Sequence, residues 1–108
     1  MSKKGLDVGS VEDVTGLVQY GEGAIVSRIM LKTDGGNVTL FAFDAGQELS
    51  EHTTPFDALV LVVDGSAAIT VDSQYHTVDA GQVILLPANT PHAVRAPDRF
   101  KMVLTMLR

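Results

Sequence analysis

Two histidine-bearing segments punctuate the middle of the chain. The first is Gly46-Gln47-Glu48-Leu49-Ser50-Glu51-His52-Thr53-Thr54-Pro55-Phe56-Asp57-Ala58, running on to Asp64-Gly65. The second is Gly81-Gln82-Val83-Ile84-Leu85-Leu86-Pro87-Ala88-Asn89-Thr90-Pro91-His92. Alternate residues of a strand share a face, so Ser50, His52 and Thr54 are expected to point together, with Glu48 joining them. By the same rule His92 shares its face with Val94 and Ala96. Pro87 stops the strand Val83 to Leu86, and Asn89 is the residue type, after glycine, that best tolerates a left-handed backbone.

Between the two segments lies Ala58-Leu59-Val60-Leu61-Val62-Val63, apolar at every position. Both faces of such a strand want cover. In a two-sheet barrel only one face meets the core, so the other must meet a second subunit or the N-terminal segment. Upstream, Ala24 to Thr33 alternates as a strand, with Ile25, Ser27, Ile29 and Leu31 on one side. Asp34-Gly35-Gly36-Asn37 then turns the chain into the β-branched and aromatic run Val38 to Phe43. Downstream, Ala67 to Val71 and Tyr75 to Val78 flank Asp72-Ser73-Gln74 as a second hairpin. The last strands fit around His92 to Ala96 and Phe100 to Leu107. A short helix is expected near the start, with Ser10 as its cap, Asp13 in the capping-box position and Val11, Val14, Leu17 and Val18 on one face. Gly16, Gly21 and Gly23 keep it short.

Eight or more short strands with a turn every eight to twelve residues predict an all-β sandwich or barrel. Periodicity alone does not separate a jelly roll from an immunoglobulin-like sandwich. The 108 residues suit one domain, with an N-terminal segment over 1–23 and the barrel over 24–108. Hydrophobic residues make up 45% and charged residues 19%, the composition of an ordinary globular chain. Thirteen acidic against eight basic residues leave a net charge of −5, which argues against a phosphate-backbone partner. The chain has no cysteine, which points to a reducing cytoplasm. Neither a signal peptide nor an apolar run of membrane-spanning length is read from it.

The spacing of particular residues does choose among the β architectures. The two segments resemble the paired cupin motifs G-x5-H-x-H-x3-E-x6-G and G-x5-P-x-G-x2-H-x3-N. Gly46, His52 and Gly65 fall in register with the first, and Gly81, Pro87 and His92 with the second. Fifteen residues separate Gly65 from Gly81, similar to the spacing of small prokaryotic single-domain cupins. The resemblance implies a double-stranded β-helix, or jelly-roll, barrel and a homodimer. It also implies a site in the barrel mouth, where a typical cupin binds a divalent metal through three histidines and a glutamate. Here Thr54 stands in the place of the second histidine and Ala58 in that of the glutamate, while Asn89 and Ala96 replace a glycine and an asparagine.

If the register holds, His52 and His92 meet inside the mouth, a common place for small ligands. The walls are expected from Phe41, Phe43, Met102 and Met106. One functional reading makes His52 and His92 the ligands of a divalent transition metal (zinc, nickel, iron, manganese or copper), with Glu48 a candidate carboxylate. A second is metal-free: one histidine acts as acid or base, and Thr54 hydrogen-bonds the ligand. A third treats the histidines as structural remnants. His76 reads as a partly buried strand histidine, Glu51 and Asp57 as solvated carboxylates, Arg95 as a surface charge and the methionines as adaptable core filling.

Two classes of function follow. The chain is a small-molecule-binding barrel with Glu48, His52, Thr54 and His92 at its site, or a metal-dependent enzyme of the oxygenase or isomerase type. A regulator's sensor domain fits less well, because no helix-turn-helix segment is present. Nucleic acid and membrane are not expected partners.

Overall fold

A computed structural model describes residues 5–108; Met1 to Lys4, part of the expected N-terminal segment, lie outside the described residues. The strands are β1 (Ile25–Thr33), β2 (Gly36–Phe43), β3 (Glu48–His52), β4 (Asp57–Asp64), β5 (Ser66–Val71), β6 (Gln74–Asp79), β7 (Val83–Leu86), β8 (His92–Arg95) and β9 (Phe100–Leu107). They form two antiparallel sheets, one ordered β1-β2-β9-β4-β7 and the other β3-β8-β5-β6. The all-β reading holds, and every expected strand is present.

The core lies between the sheets and is filled by alternate residues, as a pleated strand with one buried face requires. Ala58, Val60 and Val62 of β4 meet Ala67 and Ile69 of β5, Val94 of β8 and Phe100 and Met102 of β9. At one end Phe43 stacks on Phe100 with ring centroids 4.6 Å apart. That stack places both expected aromatic wall residues away from the histidines. Phe43 is fully buried and Phe41 packs beside it, 6.2 Å between ring centroids.

Turn chemistry explains two motif positions. Gly65 has φ of 72°, and a Cβ there would lie 2.3 Å from the carbonyl oxygen of Arg99, so only glycine fits. Asn89 takes φ of 61°, the left-handed backbone expected of it.

The N-terminal segment holds less helix than its pattern suggests. A single 3-10 turn spans Val14–Gly16, with Asp13 rather than Ser10 at its N-cap position and no side-chain cap bond. The Ser10 hydroxyl bonds the Glu12 carboxylate instead, and Val11 is 98% exposed. β-branched residues and Gly16 within one short run leave too little propensity to offset the cost of helix nucleation. Val14, Leu17 and Val18 still pack inward, against Leu40 and Ala42 on the outer face of the larger sheet.

Polar ties hold this strap in place. The buried Lys101 ammonium donates to the Thr15 carbonyl at 2.5 Å and sits 4.8 Å from the Tyr20 ring centroid. The Tyr20 hydroxyl donates to Asp64 at 2.6 Å. Asp44 accepts from the Gly23 amide at 2.7 Å and from the Arg99 guanidinium at 2.8 Å.

The strap therefore covers Val63, at one end of the outward face of β4. It leaves Leu59 44% exposed. Strand register extends Leu59 into a row across all five strands: Leu85, Leu59, Thr105, Val38 and Leu31. Leu85 and Leu31 are 58% and 59% exposed. Simple alternation puts Leu31 on the side of Ile25. A register shift between Ile29 and Leu31 moves it instead to the outer face opposite Val38.

Candidate functional site

β3 and β8 are neighbours in the smaller sheet, and their pairing places His52 directly opposite His92. The two rings lie edge to face with centroids 4.4 Å apart. His92 is 5% exposed, whereas His52 stands exposed at the rim. Each Nδ1 is within hydrogen-bond distance of the carbonyl two residues back, 2.7 Å to Ser50 for His52 and 3.0 Å to Thr90 for His92. A carbonyl oxygen only accepts, so each Nδ1 carries a proton, and a ring that holds only this proton keeps its lone pair on Nε2. Burial, with the neighbouring His52 adding to it, lowers the His92 pKa below the usual imidazole range, against the opposing bond to Thr90. His92 is thus a neutral imidazole near pH 7.

Below the pair is a small cavity of about 40 Å³. By volume it has room for about three waters. Its walls are apolar: Leu49 and Val94 from the smaller sheet, Ala58, Val60 and Leu86 from β4 and β7, and Met102, Leu104 and Met106 from β9. Met102 and Met106 occupy the walls as expected, while Leu104 takes the place given to the phenylalanines. Two larger depressions are more open. One of 660 Å³ lies between the free edges of β6 and β7, with His76 in its lining, and one of 410 Å³ lies on the outside of the smaller sheet.

The structure separates the four expected site residues. His52, His92 and Thr54 line the cavity. The Thr54 hydroxyl is engaged with its own turn, donating to the Phe56 carbonyl at 3.1 Å and accepting from the Phe56 amide at 3.3 Å. Glu48 does not share the cavity. It lies on the outer face beside Ser50 and opposite Arg95, because a register shift between Leu49 and His52 breaks the alternation. Leu49 and His52 then both face inward. A bulge of this kind is set by the partner strand, and no residue within β3 announces it. His76 is part-buried and Arg95 exposed, as read from the sequence, and Asp57 accepts a bond from the Ala88 amide at 2.9 Å.

Among the described residues no group of three or more histidine, cysteine, aspartate or glutamate side chains is placed to hold a metal. The two imidazoles fit a metal as far as they go. Their centroid separation suits a shared ion with metal–nitrogen bonds of about 2.0–2.1 Å, and each free Nε2 is backed by an Nδ1–H bonded to a carbonyl. Thr54 and Ala58 withhold the further imidazole and carboxylate of the fuller set.

Residues 39–107 match the family described as the cupin domain. The chain belongs to the cupin family. As a whole this cupin is similar to a Streptococcus pyogenes protein of unknown function, SPY1581, with 34% identity and a TM-score of 0.91 over 100% of this chain and 96% of that one. A cupin superfamily protein from Desulfitobacterium hafniense is 28% identical at a TM-score of 0.86, covering 97% of this chain and 95% of its own. The uncharacterised protein SCO3923 of Streptomyces coelicolor is 39% identical over 56 residues. That match spans about half of each, 52% of this cupin and 53% of the relative. Among the described residues no helix is long and apolar enough to cross a membrane.

Proposed function

We propose that this cupin is a small-molecule-binding barrel whose recognition element is the His52–His92 pair. The observation that carries the reading is the pair of Nδ1–carbonyl bonds above an apolar well. They orient two Nε2 lone pairs, so the ligand is an electron-pair acceptor: the O–H or N–H of a small neutral molecule whose short apolar end enters the cavity. Charge on the ligand is disfavoured, because the walls offer no counter-ion and desolvating a charge there is costly. The test is NMR of ¹⁵N-histidine-labelled protein titrated with short-chain alcohols and primary amides. Saturable shifts of both Nε2 signals, absent in His92→Phe, are expected. A full series with no shift would sink the reading.

The same Nδ1 bonds favour a second reading, a metal-dependent enzyme of the oxygenase or isomerase type, since metal-bound histidines are commonly held in this way. His52 and His92 would hold the ion, and the bound metal would supply Lewis acidity. Elemental analysis of tagless protein beside His52→Ala separates the readings. Transition metal near one equivalent that vanishes in the variant supports the enzyme. None in either, after incubation with zinc, nickel, iron, manganese and, anaerobically, copper(I), removes it.

We also propose a homodimer formed through the outer face of the larger sheet. The row of Leu85, Leu59, Val38 and Leu31 around Thr105 supports it, since unpaired exposed leucines in line across a sheet are what a second copy would bury.

A further inference from the structure

Ala58, at the position where the first motif has its glutamate, has Met106 as its cross-strand partner in β9. Ala58 is 4% exposed and its side chain ends at Cβ, so the space a carboxylate would fill is left to its neighbours. Met106 lines that same cavity together with His52 and His92. One strand thus offers no oxygen donor here, and a thioether side chain stands at the paired position of the next strand. We propose that His52, His92 and Met106 form a three-ligand site selective for copper(I). The proposal rests on the second reading above, that the histidine pair holds a metal.

Donor chemistry selects the ion. Thioether sulfur is a soft ligand that favours copper(I), and imidazole suits copper as well. Hard ions such as manganese, magnesium and calcium want oxygen, and the cavity lining contains no carboxylate. The one hydroxyl there, on Thr54, is already engaged with Phe56. Desolvation points the same way. The cost of bringing an ion into an apolar cavity rises steeply with its charge, so a monovalent ion enters at a fraction of the cost of a divalent one.

Geometry supplies the control. Met102 lines the cavity too, but it lies four residues from Met106 along β9, roughly 13 Å at the usual rise of a strand. Its register partner in β4 is Val62, not Ala58. Met102 is fully buried core filling, whereas Met106 is part-buried near the mouth, with a flexible side chain free to adjust to an ion.

The experiment is an anaerobic copper(I) titration of the metal-free full chain against a chromogenic copper(I) chelator, with copper-edge X-ray absorption on the loaded protein. Wild type, Met106→Leu, Met102→Leu and His52→Ala are compared. The expected result is one copper(I) per chain with a sulfur shell. Met106→Leu should bind at least tenfold more weakly and lose that shell, and Met102→Leu should match wild type. Equal affinity and a nitrogen-only spectrum in wild type and Met106→Leu overturn the proposal. If His52→Ala then still abolishes binding, the histidine reading survives that failure; if His52→Ala binds as wild type does, both fall. Zinc held in preference to copper(I) by wild type also overturns the proposal and leaves the histidine site standing.

Discussion

The Asn89 amide donates to the Thr54 carbonyl at 2.7 Å, joining the turn before His92 to the turn after His52. The β3–β8 pairing that sets the two histidines opposite each other is thus continued by a backbone clasp just beyond the strand ends. Asn89 makes this bond from a left-handed conformation, so its φ and its hydrogen bond are one feature.

Replacing Asn89 should show that the conformation matters more than the side chain. Asn89→Gly is expected to fold with nearly unchanged stability, within about half a kcal/mol. Asn89→Val, β-branched at a positive φ, should cost about 1–2 kcal/mol in urea unfolding. Equal losses in both variants would mean that the asparagine side chain, not the turn, is needed.

Restoring the missing carboxylate probes whether position 58 faces the histidine pair in solution. Ala58→Glu puts an ionisable group into an apolar wall, so the metal-free variant should melt several degrees below wild type. The loss should be on the order of 3 kcal/mol. Zinc should recover much of it, since ligand at a hundred times its dissociation constant adds about 2.7 kcal/mol. Thermal melts with and without zinc decide the matter. A variant that zinc leaves unchanged would show that the introduced carboxylate and the imidazoles do not converge.

The strap should loosen in acid. The Gly23 amide, and after it the Arg99 guanidinium, hold the Asp44 carboxyl below its ordinary value of 3.8. A depressed carboxyl stabilises the fold fully above that value, and the contribution fades as pH falls through the lower folded-state value. Amide exchange over residues 14–23 should therefore accelerate below about pH 3.8, before the β core opens. Arg99→Leu, which removes one of the groups that depress Asp44, should leave the onset in place but make the acceleration smaller and complete it at higher pH. A profile identical in the variant would place the acid-sensitive contact elsewhere.

Dimerisation through the outer sheet face predicts a clear response to charge. Wild type should run in light scattering at about twice the 11.5 kDa chain mass. Leu59→Glu with Leu85→Glu should run as a monomer that keeps its β-sheet circular dichroism, because both side chains point away from the core. A wild-type mass of one chain, or a double variant that stays dimeric, would reject this interface.

Sequence alone determined the architecture and the central pair. Gly65 is legible as a glycine in register with the first motif, and Asn89 as a residue type that accepts a left-handed backbone; the Arg99 carbonyl that a Cβ at position 65 would strike belongs to the fold. His52 and His92 could be paired because motif spacing placed both at the same mouth. These are short-range constraints, written in residue types at fixed gaps.

Tertiary structure decided what the pair is surrounded by. The bulge in β3 turns Glu48 and Ser50 outward and Leu49 inward, and the bulge in β1 moves Leu31 to the outer face. The side of the barrel that holds Phe43, and the strand register that sets Met106 beside Ala58, depend on β9 pairing with both β2 and β4. Pairing between strands roughly fifty residues apart is fixed by how two whole sheets close over one core, and strand periodicity carries no record of it.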